Sequence, residues 1–320
     1  MIKKLISLVI PAYNEEANLG ELRRQLLVVF TQLPQYDFEV MIVDNGSTDS
    51  TWSQLKSFAE QDSRFKSIRL SRNFTAPGGI TAGFKHVKGD AAIMLCADLQ
   101  DPPERIPDFL KKWEEGFDIV YHIVSERRGI SYTRKIASEG FHWIMSRLTN
   151  NAIPRNASVY RLLDKKAYVA FNNLTETNRY FPGLCNWIGF NSVGIEFPRA
   201  ERFAGEAKSP FKVVLKLALN GIFSFSNVPL RLVTYFGLFV AGGSTCFLFY
   251  IVFLALTHGL KTVPGLATLL CITLLMFGAL FLALGVIGEY LARIYDEVKG
   301  RPIYIVKDGI GIEHYGNARN

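Results

Sequence analysis

Two long stretches without a charged side chain, about Leu232 to Thr257 and about Leu266 to Gly288, constrain this chain more than any other feature. Each is long enough to cross the roughly 30 Å hydrocarbon core of a bilayer as a helix. A buried hairpin in a soluble core is a poor competitor for stretches of that length. Their connection holds only His258 and Lys261, whereas Arg231 precedes the pair and Arg293, Lys299 and Arg301 follow it. By the positive-inside rule both chain termini are then expected in the cytoplasm and the connection outside. No signal peptide is expected, because the apolar run after Met1-Ile2-Lys3-Lys4 ends at Pro11.

Ahead of these stretches the chain alternates between two periods. Leu5–Ile10, Phe38–Val43, Ser67–Leu70, Ala91–Leu95 and Phe117–Tyr121 read as strands. Between them lie helical patterns, from Asn14 to about Leu33, through Trp52, Leu55 and Phe58, and from about Gly78 to Val87. Strands alternating with helices predict right-handed βαβ units and a largely parallel sheet, an α/β fold of Rossmann-like type. Ser47 or Thr48 is expected to cap the second helix. Neither common glycine-rich phosphate loop is present.

The run Ala91 to Leu95 stops at Cys96-Ala97-Asp98-Leu99-Gln100-Asp101-Pro102-Pro103-Glu104. Ligands of open α/β sheets collect at the carboxyl ends of strands, which puts Asp98, Gln100 and Asp101 where chemistry is expected. Two readings are open: the carboxylates hold a hard cation against a phosphate-bearing substrate, or Asp98 and Asp101 merely cap the helix that Pro102-Pro103-Glu104 begins. The formal net charge of +7 agrees with an anionic partner, either phosphate groups or an anionic membrane surface. No basic run, zinc spacing or known binding motif points to nucleic acid. The four scattered cysteines make neither a disulfide framework nor a metal pattern.

From Ser125 to about Pro198 the pattern is weaker. The basic stretch Arg127 to Lys135 precedes an amphipathic helix through Phe141, Ile144, Met145 and Leu148. Pro210 to about Asn227 is apolar on one side with Lys212 and Lys216 on the other, which suits a helix in the membrane interface.

The motifs Ile10-Pro11-Ala12-Tyr13-Asn14-Glu15-Glu16 and Asp44-Asn45-Gly46-Ser47-Thr48-Asp49 resemble those of the family 2 inverting glycosyltransferases, which have a GT-A fold. Ala97-Asp98-Leu99-Gln100-Asp101-Pro102-Pro103-Glu104, Ser71-Arg72-Asn73-Phe74, Arg202-Phe203-Ala204-Gly205-Glu206-Ala207-Lys208, Phe223 to Arg231 and Gly288 to Arg293 narrow the resemblance to the polyprenyl-phosphate branch. That branch includes bactoprenol glucosyltransferases and dolichol-phosphate mannose synthases. The resemblance implies transfer of a sugar, UDP-glucose by default, from a nucleoside diphosphate to a polyprenyl phosphate. It implies a cytoplasmic GT-A domain over 1–209, an interfacial helix over 210–230, two membrane helices over 231–290 and a cytoplasmic tail over 291–320. The site is expected at the inner face of the cytoplasmic membrane, in a homo-oligomer.

Carried over residue by residue, Pro11, Tyr13 and Glu15 line the nucleotide pocket and Asp44 binds the base. Glu16 is better read as a helix-start carboxylate. Asp98 and Gln100 hold Mg²⁺ or Mn²⁺ on the diphosphate. Arg134, Lys135, Arg202 and Lys208 meet the acceptor phosphate or anionic headgroups, which makes Asp98 and Arg202 the catalytic pair. Two positions depart from the family pattern. Cys96 stands where relatives have the first acid of Asp-x-Asp, and thiols are poor ligands for hard cations. Ser158-Val159-Tyr160-Arg161 replaces the usual Gly-Asp-Phe-Arg, so the proposed base is missing at Val159. A phosphate monoester with a second pKa near ~6 is already mostly a dianion at neutral pH and needs position more than a base. A second reading follows from the same departures: a weakened relative that binds nucleotide-sugar as a scaffold. A processive polysaccharide synthase is disfavoured, since no Gln-x-x-Arg-Trp motif is present.

Overall fold

The computed structural model describes residues 3–125, 156–200, 203, 228–258 and 265–312. The chain divides into two compact units, Met1–Ser224 with Arg301–Asn320, and Phe225–Gly300.

The first unit is built on one eight-stranded sheet. Its strands are β1 (Lys4–Ala12), β2 (Tyr36–Asp44), β3 (Phe65–Leu70), β4 (Ala91–Met94), β5 (Ile119–Val124), β6 (Ala157–Asp164), β7 (Ser192–Phe197) and β8 (Val306–Ile310), in the spatial order β7-β5-β6-β4-β1-β2-β3-β8. β1, β2, β3 and β4 are mutually parallel, as are β5 and β7, whereas β6 runs against both its neighbours and β8 against β3. The expected GT-A type α/β architecture with a mostly parallel sheet is therefore present. The five strands read from the sequence are all found, and their apolar residues are mostly buried.

One face is covered by α1 (Glu16–Gln32), α2 (Thr51–Gln61) and α4 (Ile106–Glu114), which follows a 3-10 turn at Pro103–Arg105. Leu19, Leu22 and Leu26 of α1, Leu55 of α2 and Phe109 of α4 pack with Ile6, Leu8 and Ile10 of β1 in one core. The other face carries α3 (Thr75–Lys85), α5 (Lys165–Asn172) and α6 (Phe181–Trp187), whose Phe84, Phe171 and Phe181 rings meet at 5.3–5.6 Å. Helix α3 lies close on β1: a Cβ at Gly83 would sit 2.3 Å from Val9 Cγ1.

Three expectations change. Neither Ser47 nor Thr48 caps α2. Asp49 Oδ1 accepts the Thr51 N–H at 3.0 Å instead, while Ser47 Oγ accepts the N–H of Asn14 at 2.9 Å. Residues 291–320 are not simply a tail, since 291–299 continue a helix and Val306–Ile310 become the edge strand β8. Strands β6 and β7 and helices α5 and α6 were not anticipated. The amphipathic helix expected around Phe141 to Leu148 and the interfacial helix expected at 210–227 lie outside the described residues.

The second unit contains α7 (Val228–His258, 31 residues) and α8 (Leu266–Lys299, 34 residues). Both include windows long and apolar enough to cross a membrane, Val228–Phe247 and Leu275–Lys299, with none of those windows buried. Phe239, Leu256 and Leu282 are each at least three-quarters exposed, an arrangement that water penalises and hydrocarbon does not. Gly300, at φ +59°, ends α8 in the left-handed conformation that closes many helices.

Candidate functional site

The site begins where β1 and β2 end together. Ala12 pairs with Asp44, and Asn45 N–H then donates to the Ala12 carbonyl at 2.8 Å, so the turns after both strands start in register. Asn14 takes φ +54°, which asparagine tolerates better than most residues. Its Oδ1 accepts the Thr48 N–H at 2.9 Å and so ties the first turn to the second. Pro11 and Tyr13 are half-buried beside this seam, and Glu15 accepts the Asn18 side-chain amide within α1. Glu16 is structural, as expected: its carboxylate accepts the Ser50 N–H at 2.9 Å and the Ser50 hydroxyl, joining the starts of α1 and α2.

Asp44 is fully buried. Its Oδ1 accepts the Ser47 N–H at 2.8 Å, and its Oδ2 lies 3.1 Å from Arg69 Nε. That Oδ2 has no partner in hydrogen-bond geometry, so one acceptor lobe is left for an N–H of a ligand. Arg69 was not singled out in the sequence. It also donates Nη2 to the Ser47 carbonyl at 2.9 Å and stacks its guanidinium 5.7 Å over Trp52. Asn45, equally unforeseen, pins the far wall: its Oδ1 accepts the Phe74 N–H at 2.9 Å and its Nδ2 donates to the Thr75 carbonyl at 2.8 Å.

Next to β1 on the other side, β4 ends in the acidic turn. Leu99 has φ +60°, a conformation costly for a bulky residue, and it buries its side chain. Asp98 is 8% exposed, and its Oδ1 accepts the Gln100 N–H at 3.2 Å. Asp101 is fully buried and closes the turn inward, Oδ2 accepting the Cys96 N–H at 3.2 Å. Neither Pro103–Arg105 nor α4 has a side-chain cap, so the capping reading of this cluster fails. Burial raises the Asp101 carboxyl, opposed by nearby Arg199, and burial followed by Asp101 and Asp98 pushes the Cys96 thiol well above its ordinary range. Cys96 is thus an uncharged thiol. Arg199 is a further cation of the site that no sequence pattern marked.

These residues fit a hard cation in one way only. Among the described residues no set of three His, Cys, Asp or Glu converges as a ready-made cage. Asp98 and Gln100 supply hard oxygens, enough for an ion of the magnesium type when substrate phosphates complete its shell. Arg134, Lys135, Arg202 and Lys208 lie outside the described residues. Phe203, described next to Arg202, donates its N–H to the Asp98 carbonyl at 3.4 Å.

The glycosyl transferase family 2 model matches residues 7–170, from β1 through α5. The SfII prophage-derived bactoprenol glucosyl transferase of Shigella flexneri is 35% identical over 312 residues, covering 98% of this chain and 99% of that one. The chain belongs to glycosyltransferase family 2. It is a glycosyltransferase by that membership. A Bacillus subtilis relative, the uncharacterized glycosyltransferase YkcC, is 39% identical over 308 residues, 96% of this chain and 95% of its own. Among solved structures, glucosyl-3-phosphoglycerate synthase from Mycobacterium tuberculosis, crystallised with Mn²⁺, uridine diphosphate and phosphoglyceric acid, superposes with a TM-score of 0.46. It is 18% identical and covers 69% of this chain and 76% of that one.

In this family 2 transferase the altered Ser158-Val159-Tyr160-Arg161 stretch lies on β6. Tyr160 stacks on Phe109 at 4.4 Å and donates its hydroxyl to the Pro102 carbonyl at 3.1 Å, fastening β6 to the acidic turn. Ser158 Oγ accepts the Tyr160 N–H at 3.0 Å and lies 3.2 Å from His122 Nδ1. Burial lowers the His122 pKa, with Arg199 and Arg105 adding to the shift against the hydrogen bond with the Phe197 carbonyl.

Proposed function

We propose that the protein transfers a sugar, with inversion, from a nucleoside-diphosphate-sugar to a polyprenyl phosphate at a membrane surface. The observation that carries this reading is a likeness to relatives named bactoprenol glucosyl transferases that runs the full length of the chain, apolar helix pair included. In this reading Pro11, Tyr13 and Glu15 line the nucleoside pocket and Asp44 accepts from the base. Asp98 and Gln100 face the diphosphate, and Mg²⁺ or Mn²⁺ held there screens charge on the leaving group. Arg134, Lys135, Arg202 and Lys208 hold the acceptor phosphate. The dianionic acceptor attacks the anomeric carbon directly, so the absent acid at Val159 does not stop the reaction.

The chain leaves the sheet unit and re-enters it at Arg301, with β8 completing the sheet. Such a chain crosses a bilayer an even number of times, which supports a cytoplasmic domain and two cytoplasmic termini on the inner membrane. Self-association through the helix pair belongs to the same reading. The second reading, a nucleotide-sugar-binding scaffold, draws on Cys96 and Val159. Purified full-length protein in detergent, given undecaprenyl phosphate and a panel of labelled UDP- and GDP-sugars, separates the two. Labelled lipid is expected with one donor. Nucleotide binding with no lipid product from any donor refutes transfer and favours the scaffold.

A further inference from the structure

Arg161, on β6, is fully buried, and among the described residues neither Nη1 nor Nη2 has a hydrogen-bond partner other than the Cys185 thiol. Its Nε donates to the Ser158 carbonyl at 3.1 Å, so the guanidinium lies beside the peptide that leads into Val159. The Tyr121 ring lies 5.2 Å from its Cζ, and Cys185 and Tyr180 of the α6 region are its other electrostatic neighbours. None of these is a carboxylate. Burial pushes the Cys185 thiol up to about 11 and raises the Tyr180 hydroxyl. A second buried arginine, Arg179, acts on the same Cys185 thiol. Among the described residues no carboxylate pairs with Arg161. A buried cation without a counterion is strongly unfavourable, and a native fold that keeps one calls for an explanation.

Position 159 supplies it. Alternation along a strand puts Val159 and Arg161 on one face of β6, roughly 6.6 Å apart. Val159 is half-buried, so this face reaches solvent one pleat beyond the guanidinium. Met94 of β4 pairs with Arg161, so Val159 lies beyond the last paired residue of β4, on the side of the acidic turn. Among the described residues no carboxylate takes that place beside Arg161, and Val159 stands one pleat nearer the acidic turn. In the order β6-β4-β1-β2 the nucleoside end of the site lies over β1 and β2 and the acidic turn follows β4. The neutral mouth over β6 is the side away from the nucleoside.

We propose that Arg161 is the cation of a phosphate subsite whose mouth is Val159, and that this subsite takes the phosphate monoester of the prenyl acceptor, an assignment that rests on the transfer reading above. Arg161 acts from beneath the mouth, holding positive potential in a low-dielectric layer where no carboxylate of the described residues pairs with it. It is a positioning residue and not a proton carrier.

The test is direct binding to the full-length protein in detergent, by titration calorimetry, with farnesyl phosphate, farnesol and UDP as probes. Arg161→Gln is expected to weaken farnesyl phosphate at least tenfold while changing farnesol and UDP less than twofold. Val159→Asp gives Arg161 an internal partner, so it is expected to weaken farnesyl phosphate several-fold and to raise the thermal midpoint. Combined with Arg161→Gln it is expected to lower that midpoint. Unchanged farnesyl phosphate affinity in Arg161→Gln overturns the proposal, as does an equal loss of UDP, which marks a merely structural role. Should Arg161→Gln not fold, unchanged farnesyl phosphate affinity in Val159→Asp overturns it. Wild-type protein that binds farnesyl phosphate through Arg161 yet transfers no sugar defeats the transfer reading and leaves the subsite standing.

Discussion

Replacing Arg69 by methionine tests the logic of the nucleoside end of the site. The change keeps the stem that lies over Trp52 and removes the charge 3.1 Å from Asp44 Oδ2. Asp44 is then a fully buried carboxylate held only through Oδ1 by the Ser47 N–H. Breaking a buried ion pair from one side costs about 3–5 kcal/mol. The Arg69 side chain is 26% exposed, so water screens part of the pair and the lower end applies. A net loss of roughly 2–3 kcal/mol shifts the thermal midpoint of a domain this size by about 5–10 °C. Differential scanning fluorimetry of the full-length protein in detergent reads that shift. The deciding comparison is Arg69→Met with Asp44→Asn: neutralising the stranded carboxylate should recover at least half of the loss, a coupling of about 1–1.5 kcal/mol. UDP affinity should stay low in the double variant if Asp44 is the base acceptor, as proposed above. A shift below about 2 °C for Arg69→Met, or strictly additive losses, would refute the claim that this pair is what makes Asp44 tolerable in the core.

Three further outcomes follow from the same geometry. Gly46 has φ +76°, and a Cβ there would lie 2.6 Å from the Arg72 carbonyl carbon, so Gly46→Ala should cost at least tenfold in UDP affinity; wild-type affinity would show that the turn yields freely. For Glu39, burial alone would raise the pKa, but Lys66 at 2.8 Å, the Lys88 N–H and the Ser7 hydroxyl outweigh it and hold the carboxyl below 4.5. A depressed folded pKa stabilises above the unfolded value and is lost as pH falls through the folded one. Glu39→Gln should therefore lower stability at neutral pH and flatten its fall below about pH 4.5, and an unchanged acid limb in denaturation curves would contradict this. Cys96→Asp should tighten Mn²⁺ binding in the presence of UDP about tenfold, read by calorimetry, and an unaltered affinity would mean that position 96 does not address the ion.

The first five strands were legible because each is short and rich in apolar residues, continuous in β4 and interrupted by polar ones in β3 and β5, and the acidic turns that end β2 and β4 are contiguous as well. Asp44 and Asp98 could be placed at strand ends on that basis alone, whereas the position of β1 between those two strands could not. The second half of the sheet was not legible for a different reason. Val306-Lys307-Asp308-Gly309-Ile310 has no strand period of its own and becomes β8 only because β3 offers an open edge. Ala157–Asp164 carries an arginine in a fully buried position, which no hydrophobic pattern predicts. Arg69 and Asn45 went unnoticed because their roles are defined by Asp44 and by the Phe74–Thr75 backbone, both distant in sequence.

What the sequence determined by itself, then, is what local composition can carry: an α/β chain with acidic turns at its strand ends, two long uncharged stretches, and resemblance to a sugar-transferring family. What only the tertiary structure decided is which charges meet. Asp44 finds Arg69, Asp101 turns inward to the Cys96 amide, and Arg161 pairs with no carboxylate among the described residues. The physical reason is that the field at a site depends on distance and burial across strands that are neighbours in the sheet and far apart in the chain. Val159 and the acidic turn that holds Cys96 are far apart along the sequence; only the β4–β6 pairing shows that both lie beyond the same end of β4.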